Sequence, residues 1–154
     1  MESTPGIVIA IVGAESTGKS TLAHTLAQRI ADEARLTCAP VDEHLRTWCE
    51  SMGRTPRIDE QRGIAQTQHE RIAQAASTHD VVVADTTAAM IAVYSRYVFG
   101  DRSLDAWAAG LHARSVAHTL VTALDLPWVA DGLQREGEHV RGPIDMMLRE
   151  LLAA

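Results

Sequence analysis

Read for the spacing of apolar and polar positions, the chain separates into short apolar runs joined by helical patterns. Ile7 to Val12 is an unbroken apolar run, mostly β-branched, and predicts a buried strand. Leu22, Leu26 and Ile30 then recur every four residues, with Ala23 and Ala27 beside them. That spacing predicts a helix from about Lys19 to Glu33 with one apolar face. Leu36 to Val41 predicts a second strand whose end Pro40 confines. A helical pattern follows through Trp48 to about Met52, and Gly53 to Arg57 reads as a loop. A long helix is expected from Asp59, its cap, to about Thr78. Asp80 to Asp85 predicts another strand, 88–98 a helix stopping near Gly100, and Leu104 to Ser115 a further helix. His118 to Leu124 predicts the last strand. A polar, turn-rich stretch then leads to a final helix, Pro143 to Leu152, with the proline in its first turn.

Strands alternating with helices in this way predict an α/β fold with a mainly parallel sheet covered on both faces. A chain of 154 residues fits a single domain, 1–154, with no internal repeat. No apolar run approaches the length of a membrane span. The opening MESTPG places no basic segment ahead of its short apolar strand, which argues against a signal peptide. Cys38 and Cys49 suggest buried free thiols, not a disulfide framework or metal site. A cytoplasmic protein is the simplest expectation. The net charge of −6 argues against a broad nucleic-acid surface, so the expected partner is a small-molecule substrate, with neither nucleic acid nor membrane.

The turn after the first strand carries the chemistry. Gly13, Ala14, Glu15, Ser16, Thr17, Gly18, Lys19, Ser20 and Thr21 follow the spacing G-x-x-x-x-G-K-S, a P-loop. Glycines allow successive N–H groups to turn inward as an anion nest. Lys19 would neutralise β- and γ-phosphate charge, Ser20 would coordinate Mg²⁺, and the helix start would aim its dipole at the same phosphates. ATP with Mg²⁺ is the expected ligand. Asp85 ends an apolar strand as a Walker B carboxylate does, with Thr86 and Thr87 as candidate caps of the next helix. Asp42, Glu43, His44 and Arg46 fall just past a strand's C-terminal end, where open α/β folds bind ligands. Asp42 reads as helix-terminal charge; for Glu43 that role and ligand binding both stand. Gln68 lies midway between Ile64 and Ile72 on an apolar face, either as a satisfied rim amide or directed into a substrate pocket. Arg135 and Arg141 sit in the polar stretch, which suits either a lid closing over phosphates or a solvated charged loop.

Five stretches taken together resemble one family. GAESTGKST, DEHLR with Trp48, IAQTQ at Ile64 to Gln68, VVVADTT and DLPWVADG occur in that order between Ile7 and Arg141. They are similar to the ribosylnicotinamide kinase domain of NadR-type proteins, and the pair Glu43 and Arg46 with the D-x-P-W-V-x-D-G segment is the most particular part. The resemblance implies a P-loop kinase fold with a lid, transferring phosphoryl from ATP to the 5′-hydroxyl of nicotinamide riboside. In that reading Asp85 or Glu43 orients or deprotonates the acceptor hydroxyl, the other helping with metal or ribose. Arg135 and Arg141 stabilise the transferred charge, and Glu43, Arg46, Gln68 and Trp128 meet the substrate. A pyridinium cation would suit an acidic pocket with an aromatic wall, from Trp48 or Trp128 if either is not simply a core residue.

The sequence departs from the family at three points. Thr87 stands where the family commonly has a second aspartate, Gln134 precedes Arg135 where the family usually has arginine, and the family's last strand and helix are not in this sequence. Two alternatives therefore stand beside the leading one: a kinase of another nucleoside or small metabolite, and a nucleotide-binding regulatory module with little turnover.

Overall fold

The computed structural model of the chain describes residues 3–129 and 138–154. Four strands, β1 (Ile7–Val12), β2 (Cys38–Val41), β3 (Val81–Asp85) and β4 (His118–Val121), form one sheet in the order β2-β3-β1-β4. Their pairings are all parallel, with Ile11 opposite Asp85, Val12 opposite Val121, and Val41 opposite Ala84. Six α-helices are described: α1 (Lys19–Ala34), α2 (His44–Met52), α3 (Gln61–Thr78), α4 (Ala88–Phe99), α5 (Asp105–Ser115) and α6 (Arg141–Ala153). Two 3-10 turns, Ile58–Glu60 and Glu138–Val140, lead into α3 and α6. The α/β architecture expected from the pattern is the one observed.

Side chains alternate across the sheet with period two. Ile11 and Val83 face α1 and pack against its Ala23 and Ala27. Val8, Val82 and Ala84 point the other way, onto Ile72 and Ala76 of α3. Ala10 and Val12 join a larger cluster with residues of α4, α5 and α6, among them Met90, Ala108, Ile144 and Leu148. Helices therefore cover both faces, and strands buried on both sides need an unbroken apolar run. β3 is buried along its whole length.

Several local expectations are corrected. Ala23 and Ala27, not the leucines, centre the buried face of α1; Leu22 is exposed, while Leu26 and Ile30 pack only at its margin. Small residues let the helix approach the sheet closely. As expected, Pro40 falls near the end of β2, opposite Val83, which the sheet tolerates because among the described residues β2 is an edge strand that pairs only with β3. The strands predicted over Leu36 to Val41 and His118 to Leu124 begin later and end earlier, respectively. Asp59 does not cap α3. Instead the Glu60 carboxylate accepts from the Arg57 backbone N–H at 2.8 Å, and Asp59 meets Arg57 Nε at 3.3 Å. Arg141, expected in the polar stretch, is the first residue of α6 and is 5% exposed.

β4 also fixes the need for glycine at the end of β1. A Cβ on Gly13 would sit 1.9 Å from Thr122 Oγ1 and 3.2 Å from Thr122 Cβ. Thr122 is itself held, its hydroxyl 2.5 Å from that of Thr17. Gly13→Ala should therefore lower unfolding stability by about 1–3 kcal/mol, the usual cost of overpacking. Chemical denaturation of the two proteins measures it, and an unchanged midpoint would contradict the close approach.

Candidate functional site

The turn between β1 and α1 bends through two left-handed residues, Ser16 at φ 53° and Gly18 at φ 81°. Gly18 occupies the N-cap position of α1 with no side-chain cap, so the first N–H groups of the helix are left for a ligand. The loop is braced from inside: Thr17 Oγ1 donates to the Ala14 carbonyl at 2.8 Å. Lys19, 5% exposed, donates from Nζ to the same carbonyl at 3.0 Å. Ser20 Oγ donates to Asp85 Oδ2 at 2.6 Å, joining the start of α1 to the end of β3. Asp85 Oδ1 is buried with no hydrogen-bond partner among the described residues. A hydroxyl beside a buried carboxylate oxygen fits a magnesium ion that completes its shell with phosphate oxygens and water.

A small cleft of about 200 Å³ opens over this loop, lined by Ser16 to Thr21 and, from α2, by Arg46. Arg46 thus shares this cleft with the loop residues. Glu15 is 2% exposed within the loop. The segment after β4 crosses the loop's outer side: Ser16 Oγ donates to the Val129 carbonyl at 2.6 Å, and the Val129 N–H lies 3.3 Å from the same oxygen. Trp128 belongs to this segment, half-buried, with Nε1 lacking a partner among the described residues.

On the other side of the sheet's C-terminal edge the two acidic residues after β2 part company. Asp42 is exposed and meets His24 Nε2 at 2.7 Å, a surface pair. Glu43, at the N-cap position of α2, is 4% exposed and makes no side-chain cap bond. Gln68 is a tie between elements and presents no free amide to the cleft. Its Oε1 accepts from the His44 N–H at 2.8 Å, and its Nε2 donates to the Thr86 carbonyl at 2.9 Å. That corrects its expected role in substrate contact.

A larger apolar pocket of about 410 Å³ lies between α2, α3 and α4, with Leu45, Gln61, Tyr94 and Phe99 in its wall. Its aromatic surface comes from Tyr94 and Phe99; neither Trp48 nor Trp128 lines it. Trp48 carries the Arg54 guanidinium 5.1 Å from its ring centroid. Beside the pocket, Glu60 is held down to about 2 by the Arg54 guanidinium bonded to it and by the Arg57 N–H. Arg141 is buried with Nε and Nη2 unpartnered among the described residues, and Arg135 lies outside those residues.

One buried group escaped the sequence reading. Thr87, and not Thr86, caps α4, accepting from the Ala89 N–H at 3.3 Å. Thr86 instead takes a left-handed φ of 79°. The Thr87 hydroxyl also meets His112 Nδ1 at 2.9 Å, and His112 Nε2 meets Thr119 Oγ1 at 2.8 Å. Leu104, Ala108 and His112, spaced by four, mark the buried face of α5 and were the available signal.

A family model described as AAA domain matches residues 8–154. No curated protein matches the chain. Among solved structures, a NadR protein in complex with NR is similar at 20% identity and TM-score 0.73, over 96% of this chain. The chain spans 40% of that NadR protein's length. Thymidylate kinase from Ehrlichia chaffeensis is similar at 15% identity and TM-score 0.64, over 97% of this chain and 86% of that one. The APS kinase CysC of Mycobacterium tuberculosis matches at 14% identity and TM-score 0.53, over 99% and 100% of the two chains. At these identities the likeness is one of fold, that of the P-loop kinases. No helix of the described residues is long and apolar enough to cross a membrane.

Burial lowers the pKa of His112 below its ordinary 6.5, so the folded chain keeps the ring neutral. The unfolded chain takes up the proton first as pH falls. Stability present above about pH 6.5 is then lost progressively below it. His44, lowered by burial and by the charge of Arg71, acts in the same direction. The denaturation midpoint should fall between pH 7 and 5, and His112→Gln should flatten that fall; an unchanged slope in the variant would assign it elsewhere.

Proposed function

We propose, for a chain that belongs to the AAA domain family and carries a P-loop kinase fold, an ATP-dependent kinase of a small-molecule acceptor, most specifically of the 5′-hydroxyl of nicotinamide riboside. One observation carries the reading. The first turn of α2 touches both halves of a kinase cleft, with Arg46 on the P-loop side and Leu45 in the apolar pocket, directly after buried Glu43. Donor and acceptor compartments thus share a wall. The choice of nicotinamide riboside is supported by the sequence segments after β2 and β4 and by the likeness to a NadR protein.

Loop N–H groups hold the phosphates, and Lys19 exchanges the Ala14 carbonyl for phosphate oxygen. Magnesium, held by Ser20 and Asp85 with the phosphates, would neutralise charge on the β- and γ-oxygens. In this reading Asp85, tied to Ser20, serves the magnesium side, and Glu43, buried just past β2, orients the acceptor hydroxyl and takes its proton. Arg46 and Arg141, joined by Arg135, supply positive charge to the transferred group. The chemistry is largely positioning, as in phosphoryl transfer generally.

A second reading, a nucleotide-binding module with little turnover, is favoured by Thr87. Its hydroxyl is committed to capping α4 and to His112, so that position offers the cleft no carboxylate. Mass-resolved product formation from Mg-ATP and nicotinamide riboside separates the two. The expected outcome is nicotinamide mononucleotide from the wild type and a loss of at least about 10²-fold in kcat for Lys19→Ala, the scale of removing one transition-state donor. ATP binding without acceptor-dependent product would overturn the kinase in favour of the module.

A further inference from the structure

The apolar pocket contains one polar group that the fold leaves unused. Gln61, the first residue of α3, is 4% exposed and lines the pocket with Tyr94, Leu45 and Phe99. Its Nε2 donates to the Pro56 carbonyl at 3.4 Å, while Oε1 is buried with no hydrogen-bond partner among the described residues. The amide cannot simply be turned over. Reversal would set Oε1 against the Pro56 oxygen, one acceptor against another. A buried acceptor is costly to leave unmatched.

The pocket's charge points the same way. Arg57 also lines it, but its guanidinium is occupied by Asp59 at 3.3 Å and Glu60 at 3.6 Å. A carboxylate ligand would therefore compete with two acids for Arg57 and be repelled by Gln61 Oε1. A neutral group bearing N–H would suffer neither. The distance also suits a nucleoside. Tyr94 stands six residues along α4 from Ala88, about 9 Å of helix rise from the strand end where phosphoryl transfer is placed.

We propose that Gln61 is the specificity-determining residue of the acceptor pocket: its Oε1 accepts an N–H from the acceptor's ring substituent, selecting carboxamide-bearing acceptors over their carboxylate counterparts. This rests on the kinase reading above. The ring lies in the apolar pocket beside Tyr94, and the ribose hydroxyl reaches back to Glu43. Gln61 takes no part in the transfer itself. Its loss should appear in the acceptor's KM and leave the KM for ATP unchanged.

The test uses the full chain with Mg-ATP and two acceptors differing only in that substituent, nicotinamide riboside and nicotinic acid riboside. Wild type should favour the amide by at least about tenfold in kcat/KM. Gln61→Leu should raise the KM for nicotinamide riboside and narrow the preference toward unity. Unaltered KM for ATP shows that this variant is folded. Equal kcat/KM for the two acceptors in the wild type overturns the proposal without needing any variant, and so does a full preference retained by Gln61→Leu; in both cases the kinase reading survives. Absence of turnover with either acceptor overturns the kinase reading, and this inference with it.

Discussion

The molecule depends on the parallel alignment of β1 against β3. That pairing sets Ile11 opposite Asp85, so the P-loop and the strand-end carboxylate leave the sheet at the same level. Ser20, one residue into α1, then reaches Asp85 at 2.6 Å. Because the strands all run the same way, β2 delivers Glu43 and β4 delivers Thr122 to that edge as well. A side-chain constellation drawn from four separate stretches of sequence is thus a consequence of strand direction. Antiparallel pairing of any one strand would remove its contribution to the opposite end of the sheet.

The helices add a division of labour. One face of the sheet is covered by α1, whose alanines allow close packing and whose start belongs to the phosphate loop. On the other face α3 and α4 pack together, and the apolar pocket opens where they meet α2. Gln68 links these parts, since one amide binds the backbone at the start of α2 and the backbone following β3. The placement of Glu43 relative to Asp85 is therefore set by a buried hydrogen-bonded tie as well as by apolar packing.

What the sequence made legible follows from how locally each feature is encoded. IVIAIV and VVVAD could be read as strands because burial on both faces demands continuous apolar character. The phosphate loop was visible because its spacing encodes its shape. Pro40 could be placed near the end of a strand, but why the sheet tolerates it depends on β2 being an edge, a property of the whole sheet. Arg141 was misread because its burial depends on where α6 packs. Trp128 is placed beside the phosphate loop and away from the apolar pocket by a backbone contact to Ser16 more than a hundred positions distant in sequence, which no local pattern reports. Gln61 and His112 share that difficulty, since each acquires its meaning from partners on other elements.

The resting position of Lys19 has one further consequence. Its ammonium is docked on a carbonyl of its own loop and is shielded from solvent. Binding an anion there exchanges a neutral carbonyl oxygen for a charged one, a stronger partner for the ammonium. A ligand whose several phosphates fill the whole loop gains from every amide at once. The same exchange run backwards returns the lysine to its carbonyl partner. The loop thus favours ligands by the number of contacts they can make together, and its internal carbonyl gives the lysine a partner in their absence.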